Sequence, residues 1–356
     1  MKFAIFLPNW VGDACMAVPA LRAMREGFSS DTKFIAVSRP GPAALLAEQR
    51  WFDDWLVYKP HAQSPVYNRR RLMMALRAEQ CDAAILMTNS LSSAVLSAMA
   101  GIPRRIGYAR DARSWFLTDR LSVPKANGRP RPIPAIDYYL RIADCLGCPS
   151  IERQMELTVD DDYVSQADRL WETIGFSSQR QTVVINNNAA SGDARVWPKE
   201  HVESLALKLV KNLDVQVLLH CNAQETVAAN RIADQVNHPR IQSMGRISPL
   251  PIGLSQAIFA RASNIVTTDS GGRHIAVAMN RPVVTLFGPT QPTWTTTYNI
   301  PEVVMQPEQS CDVCQKRGLT NQNDFGTGCE CMRKINPQRV FMAIAKQLAT
   351  VEKVAM

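Results

Sequence analysis

Eight consecutive residues, Thr267-Thr268-Asp269-Ser270-Gly271-Gly272-Arg273-His274, bring together side chains that can hold an anion or move a proton. An apolar β-run, Ile265-Val266-Thr267, leads into them. The short apolar stretch Ile275 to Met279 follows, then a second β-run that ends in Gly288-Pro289-Thr290. Asp269 and Ser270 stand where an N-cap belongs, and Gly271 and Gly272 open the helix. The free N–H groups and the positive dipole end of such a turn suit a phosphate. An ordinary strand-to-helix turn has the same local form. An acid at an anion site also needs a second task, either capping the backbone or meeting a sugar hydroxyl. The other chemical candidate is Asp13. It closes Pro8-Asn9-Trp10-Val11-Gly12-Asp13 directly after the apolar run Lys2 to Leu7. There a carboxylate is either a plain N-cap or a general base on the rim of a sheet. Gly12 allows the close turn before it.

These residues need a sheet beneath them. Runs at Phe34 to Val37, Trp55 to Tyr58, Ala83 to Met87 and Arg105 to Tyr108 read as strands. They alternate with helical spacing at Ala43 to Glu48, Arg70 to Ala78 and Leu91 to Ala100. That alternation predicts a doubly wound parallel sheet, whose ligands bind at the carboxyl ends of its strands. Prolines 124, 130, 132 and 134 predict an exposed, stiff loop, and Ile136 to Leu146 returns to helix. Asp160-Asp161-Asp162 contains the Asp-x-Asp spacing of a metal clamp, but three acids before a helix also serve as dipole complement and cap. A second β/α series starts near Thr182. The expected organisation is α/β with two Rossmann-like domains, residues 1–160 and 161–335, facing across a cleft. A final helix, 336–356, should pack back on the first domain. Gly12 and Asp13 would line one wall, and the loops carrying Ser191, Arg195, Glu225 and Asp269 to His274 the other.

The composition, 46% hydrophobic and 20% charged in 356 residues, is that of a soluble globular chain. No run approaches the ~20 apolar residues of a membrane span. The N-terminus reads as a first strand and not as a signal peptide, so a cytoplasmic protein is expected. Residues 59 to 131 hold thirteen Lys and Arg against four acids, while the rest of the chain is near neutral. That excess points to an anionic partner. Aromatic interleaving is thin and no nucleic-acid module is present, so a phosphorylated lipid or sugar is favoured over nucleic acid. Of nine cysteines, Cys311-x-x-Cys314 and Cys329-x-Cys331 could form a structural zinc site, or stay free thiols in a reducing compartment.

Taken together, Trp10-Val11-Gly12-Asp13 with Pro19-Ala20-Leu21-Arg22, Arg195-x-Trp197-Pro198, Asp269-Ser270-Gly271-x-x-His274 and Phe287-Gly288-Pro289-Thr290-x-Pro292 resemble the ADP-heptose:lipopolysaccharide heptosyltransferases. The start looks closest to the heptosyltransferase II branch, and the matches run in order over nearly the whole chain. The resemblance implies a GT-B glycosyltransferase that transfers heptose from ADP-heptose to the lipopolysaccharide inner core, with inversion and without a metal. It implies Asp13 as the base. It also implies a donor site of Gly12, Ser191, Arg195, Glu225, Asp269, Ser270, Gly271, Gly272 and His274, with Glu225 suited to ribose hydroxyls. The arginine-rich segment would then hold a phosphorylated lipid A/Kdo-type acceptor at the inner face of the inner membrane. Two positions depart from the family pattern. Gly272-Arg273 replaces a Pro-Met or Leu-Ser type pair, so an extra cation is expected near the cleft. Arg195 stands where some members have Lys, which keeps the charge but changes its geometry.

Two rivals fit the same residues. One is a related transferase with another nucleotide sugar, and the other is a binding protein that keeps the cleft without turnover. A nicotinamide enzyme is disfavoured, because no G-x-G-x-x-G follows a strand.

Overall fold

The computed structural model describes residues 1–59, 68–126, 129–130, 133–187, 193–298, 300–309, 311 and 330–355. They form two compact units. One holds Met1–Leu157 with Thr293–Thr296, the other Thr158–Pro292 with Thr297–Met356.

The first unit runs β1 (Lys2–Phe6), α1 (Val11–Gly27), β2 (Lys33–Ser38), α2 (Pro40–Leu46), β3 (Asp54–Val57), α3 (Arg69–Glu79), β4 (Ala83–Leu86), α4 (Leu91–Met99), β5 (Arg104–Tyr108), β6 (Asp119–Leu121), β7 (Lys125–Ala126), β8 (Arg129–Pro130) and α5 (Ala135–Cys145). Six strands pair in parallel in the order β3-β2-β1-β4-β5-β6. Phe3 to Phe6 and Ala83 to Leu86 are buried throughout, as continuous apolar runs must be in a sheet covered on both faces. Helix α1 packs along α5 and buries Ala14 to Val18 without interruption. The order reverses between β1 and β4, which places the loops after both strands at the switch point of the sheet. The proline-rich stretch, expected to be a plain loop, carries the two-residue antiparallel pair β7–β8.

The second unit repeats this plan. It runs α6 (Asp161–Ile174), β9 (Gln181–Asn186), α7 (Lys199–Asn212), β10 (Val215–His220), α8 (Thr226–Val236), β11 (Ile241–Ser243), α9 (Ile252–Arg261), β12 (Asn264–Thr268), α10 (Gly271–Ala278), β13 (Val283–Leu286), β14 (Glu302–Met305) and α11 (Pro337–Ala355). Its sheet has the equivalent order, β11-β10-β9-β12-β13-β14, again all parallel. The switch point here lies between β9 and β12. Strands β11 and β14 were not read from sequence, since three or four residues at a sheet edge carry little periodic signal. Asp160 caps α6, accepting from Asp162 N–H at 2.6 Å, so the acidic triplet does the work of a helix start. Helix α11 was expected on the first domain. Within the second unit it packs against α7, β12 and β13.

Candidate active site

In the second unit the site is built where β9 and β12 part. Asn186, the last residue of β9, donates from Nδ2 to Thr267 Oγ1 at 2.7 Å and to Ser270 Oγ at 3.1 Å. Its Oδ1 meets His220 Nδ1 at 2.9 Å, and His220 Nε2 meets Ser255 Oγ at 2.9 Å. One buried network therefore ties β9, β10, α9 and β12 to the first residue of the α10 turn. Burial pushes the His220 imidazole down to about 4, so it is neutral. Gly272 has no room for a side chain, since a Cβ there would lie 2.3 Å from Asn186 Nδ2.

The α10 turn corrects the expectation about its caps. Ser270 occupies the N-cap position, yet its side chain makes no capping bond. The N–H groups of Gly271 and Gly272 are thus left to another acceptor. His274 is 4% exposed, and its Nδ1 is buried with no hydrogen-bond partner among the described residues. Burial, reinforced by the adjacent Arg273 charge, pushes it down to about 3, so it presents a neutral ring. Arg273, expected as an extra cation near the cleft, is 1% exposed and grips Glu302 with Nε at 2.7 Å. It is a buried ion-pair member.

Arg195 ends a short 3-10 turn, Asp193–Arg195, and donates from a terminal guanidinium nitrogen to the Asp269 carbonyl at 3.4 Å. The following residues explain its placement. Trp197 is 1% exposed, exchanges two 2.8 Å bonds with the Asn187 side chain, and donates its indole N–H to the Ile335 carbonyl at 3.0 Å. Trp-Pro is thus the anchor of the loop that brings a cation beside the α10 turn. Glu225 sits just before α8, in a turn with Asn222, whose N–H its carboxylate accepts at 3.0 Å. Burial pushes the Glu225 carboxyl above the usual carboxylate pKa range, partly offset by the Asn222 bonds. Ser191 lies outside the described residues, as do Cys314 and Cys329. Cys311 and Cys331 are both buried, with sulfurs 3.5 Å apart. Among the described residues no group of three or more metal-ligating side chains occurs.

In the first unit Trp10 takes the N-cap position of α1 and makes no side-chain cap bond. Asp13 is the third residue of the helix. It is therefore not the cap but an acid in the first turn, where it complements the helix dipole. Burial pushes it up to about 6. Behind the same helix end, Tyr139 is raised well above its ordinary range, first by burial and then by the Asp13 charge. A carboxylate half-ionised near pH 6 is the kind of group that accepts a proton at neutral pH.

The basic segment is smaller than its arginine count suggests. Arg113 is fully buried, bonded to the carbonyls of Thr88 and Tyr108 and to Asn89 Oδ1. Arg105 serves the Phe116 and Ile102 carbonyls, Arg77 the Met99 carbonyl, and Arg104 pairs with Asp119. These four hold the first unit together. Arg69, Arg70 and Arg71 are exposed at the start of α3.

The two sheets of equivalent order define a two-unit α/β protein, and the uncapped α10 turn at the second switch point suits a phosphate. The pattern of glycosyltransferase family 9 (heptosyltransferase) matches residues 69–324, and the chain belongs to this family. It is 30% identical to lipopolysaccharide heptosyltransferase 2 of Escherichia coli K12 over 307 residues, 83% of this chain and 85% of that one. The structure of E. coli ADP-heptose lps heptosyltransferase II matches 99% of this chain and 100% of that chain, with TM-score 0.77 at 24% identity. That of E. coli heptosyltransferase WaaC with ADP covers 98% of this chain and 100% of its own, with TM-score 0.73 at 18% identity. The fold is GT-B, and the protein is a glycosyltransferase.

Proposed function

We propose that the protein transfers L-glycero-D-manno-heptose from ADP-heptose to the inner core of lipopolysaccharide, as a heptosyltransferase of the II type. The observation that carries this is the α10 turn, whose first N–H groups have no side-chain cap while Arg195 stands beside Asp269. Such a turn binds a diphosphate and stabilises the charge that develops as ADP leaves. No divalent ion is needed for that task in this reading. The neutral His274 adds a hydrogen-bonding group on the same turn, and Glu225 meets the ribose hydroxyls. Asp13 takes the proton of the acceptor hydroxyl as its oxygen bonds to the anomeric carbon from the face opposite the departing ADP, and this single displacement inverts the anomeric centre. The names of the relatives, lipopolysaccharide heptosyltransferase 2 in E. coli and Salmonella typhimurium, support the donor and the acceptor class.

The exposed Arg69 to Arg71 suit a phosphorylated lipid acceptor and the anionic inner face of the inner membrane. No described helix is long and apolar enough to cross a membrane, so contact would be peripheral. For the C-terminal cysteines two readings stand, a structural zinc held by Cys311, Cys314, Cys329 and Cys331 or free thiols in a reducing compartment. Two thiolates on a tetrahedral zinc stand ~3.8 Å apart, and the Cys311 and Cys331 sulfurs already approach that spacing. Metal analysis of the purified protein separates the two readings: about one zinc per chain supports the metal site, and protein free of metal supports free thiols.

The decisive assay is ADP release from ADP-heptose with a Kdo-lipid A or monoheptosylated acceptor, with EDTA present. Release with that donor and not with UDP- or GDP-sugars supports the reading. Tight ADP binding without transfer to any acceptor would favour a binding protein instead.

A further inference from the structure

The two residues at the mouth of α10 are among the best helix caps by type, and neither caps it. Ser270 is diverted, its Oγ accepting from Asn186 at 3.1 Å. Asp269 is diverted differently. Its carboxylate lies 3.6 Å from Arg273 one turn along the helix. Arg273 cannot follow it outward, because its fork holds both oxygens of Glu302, Nε at 2.7 Å and a terminal nitrogen at 2.9 Å. The Thr285 and Thr297 hydroxyls donate to the same carboxylate, and the guanidinium lies over the Phe287 ring, 4.9 Å from its centroid. A buried pair with every partner in place has little freedom to rearrange, since losing one member strands the other charge.

We propose that the Arg273–Glu302 pair is a positioning device for the donor site: it draws the Asp269 carboxylate off the α10 turn, so that the turn's N–H groups stay open for a nucleoside diphosphate. This rests on the donor-site assignment above. Without the pair, Asp269 is free to cap its own helix and to set a negative charge where the diphosphate must lie. Both effects oppose the ligand. Arg273 is thus a positioning residue that touches neither donor nor acceptor.

The test is ADP binding by calorimetry on the full chain, with melting temperature measured alongside. Four proteins are compared: wild type, Arg273→Lys, the pair variant Arg273→Met/Glu302→Gln, and that pair with Asp269→Ala added. The pair variant removes both buried charges together and so leaves no stranded ion. It should bind ADP about tenfold more weakly, the worth of a competing charge and cap at a helix start. Arg273→Lys, with the charge but not the fork, should fall between it and wild type. Adding Asp269→Ala should restore most of the lost affinity, which a general loss of stability would not do. Wild-type affinity in the pair variant, or no recovery in the triple variant, would overturn the proposal. If wild type itself fails to bind ADP, the donor-site reading falls and takes the device with it.

Discussion

Asp13→Asn should separate catalysis from stability, because the same burial that makes Asp13 a base makes it a cost to the fold. Its carboxyl rises from an ordinary 3.8 to about 6. At 1.36 kcal/mol per pH unit this is about 3 kcal/mol in favour of the neutral acid. The side chain keeps partial contact with solvent, so about 1 to 2 kcal/mol is a fairer figure. The sign follows from proton binding. Because the folded value lies above the unfolded one, the stabilisation is fully present below about pH 4. It is lost as the pH rises through 6. Asparagine is neutral at every pH and escapes that loss. Asp13→Asn should therefore melt about 4 °C higher than wild type at pH 8 and show no difference near pH 4. Its transfer rate should fall by about 10² to 10⁴. Wild-type kcat/KM should drop tenfold per unit below about pH 6, as the base takes up a proton. The assays are ADP release across pH and thermal melts of both proteins. A mutant with wild-type turnover, or an acid limb near pH 4, would refute the base assignment. A mutant less stable at pH 8 would refute the burial argument.

Three further outcomes are expected. Gly272→Ala drives a Cβ to 2.3 Å from Asn186 Nδ2, an atom pinned by Thr267 and Ser270. It should cost about 1 to 3 kcal/mol in urea unfolding and weaken ADP binding at the same time. Arg195→Ala should lower kcat/KM for the donor by about 10² to 10³, and Arg195→Lys by much less, measured by steady-state kinetics. His220 and His274 are held neutral, at about 4 and about 3. Their folded values lie below the unfolded one, so stability is present above pH 6.5 and is lost as the pH falls. Urea midpoints in the Asp13→Asn background, which removes the larger opposing titration and leaves that of Glu225, should drop between pH 6.5 and 4 with a slope approaching two protons. A flat profile would show that the rings are accessible to protons.

The chain's own order of residues determined the architecture. Apolar runs alternating with helical spacing are local signals, so the two β/α series, the apolar β1 and the glycine-opened turn at Asp269 to His274 could be read directly. The positions of Asp13 and Arg195, each at short range after a strand, could also be read, but the anchoring of Trp197 by Asn187 and Ile335 could not. What tertiary structure alone decided is the partner of each polar group. Whether Asp269 and Ser270 cap α10 depends on Arg273, Glu302 and Asn186, and Asn186 lies 84 residues from Ser270. Arg113 counts as a surface charge in a sequence and is fully buried in the fold. Helix α11 is amphipathic in either location, and only the surface it meets fixes which unit it covers. The physical reason is common to all of these. Hydrophobic period is a property of neighbours along the chain, whereas desolvation and hydrogen bonding depend on atoms that the fold brings together from distant strands.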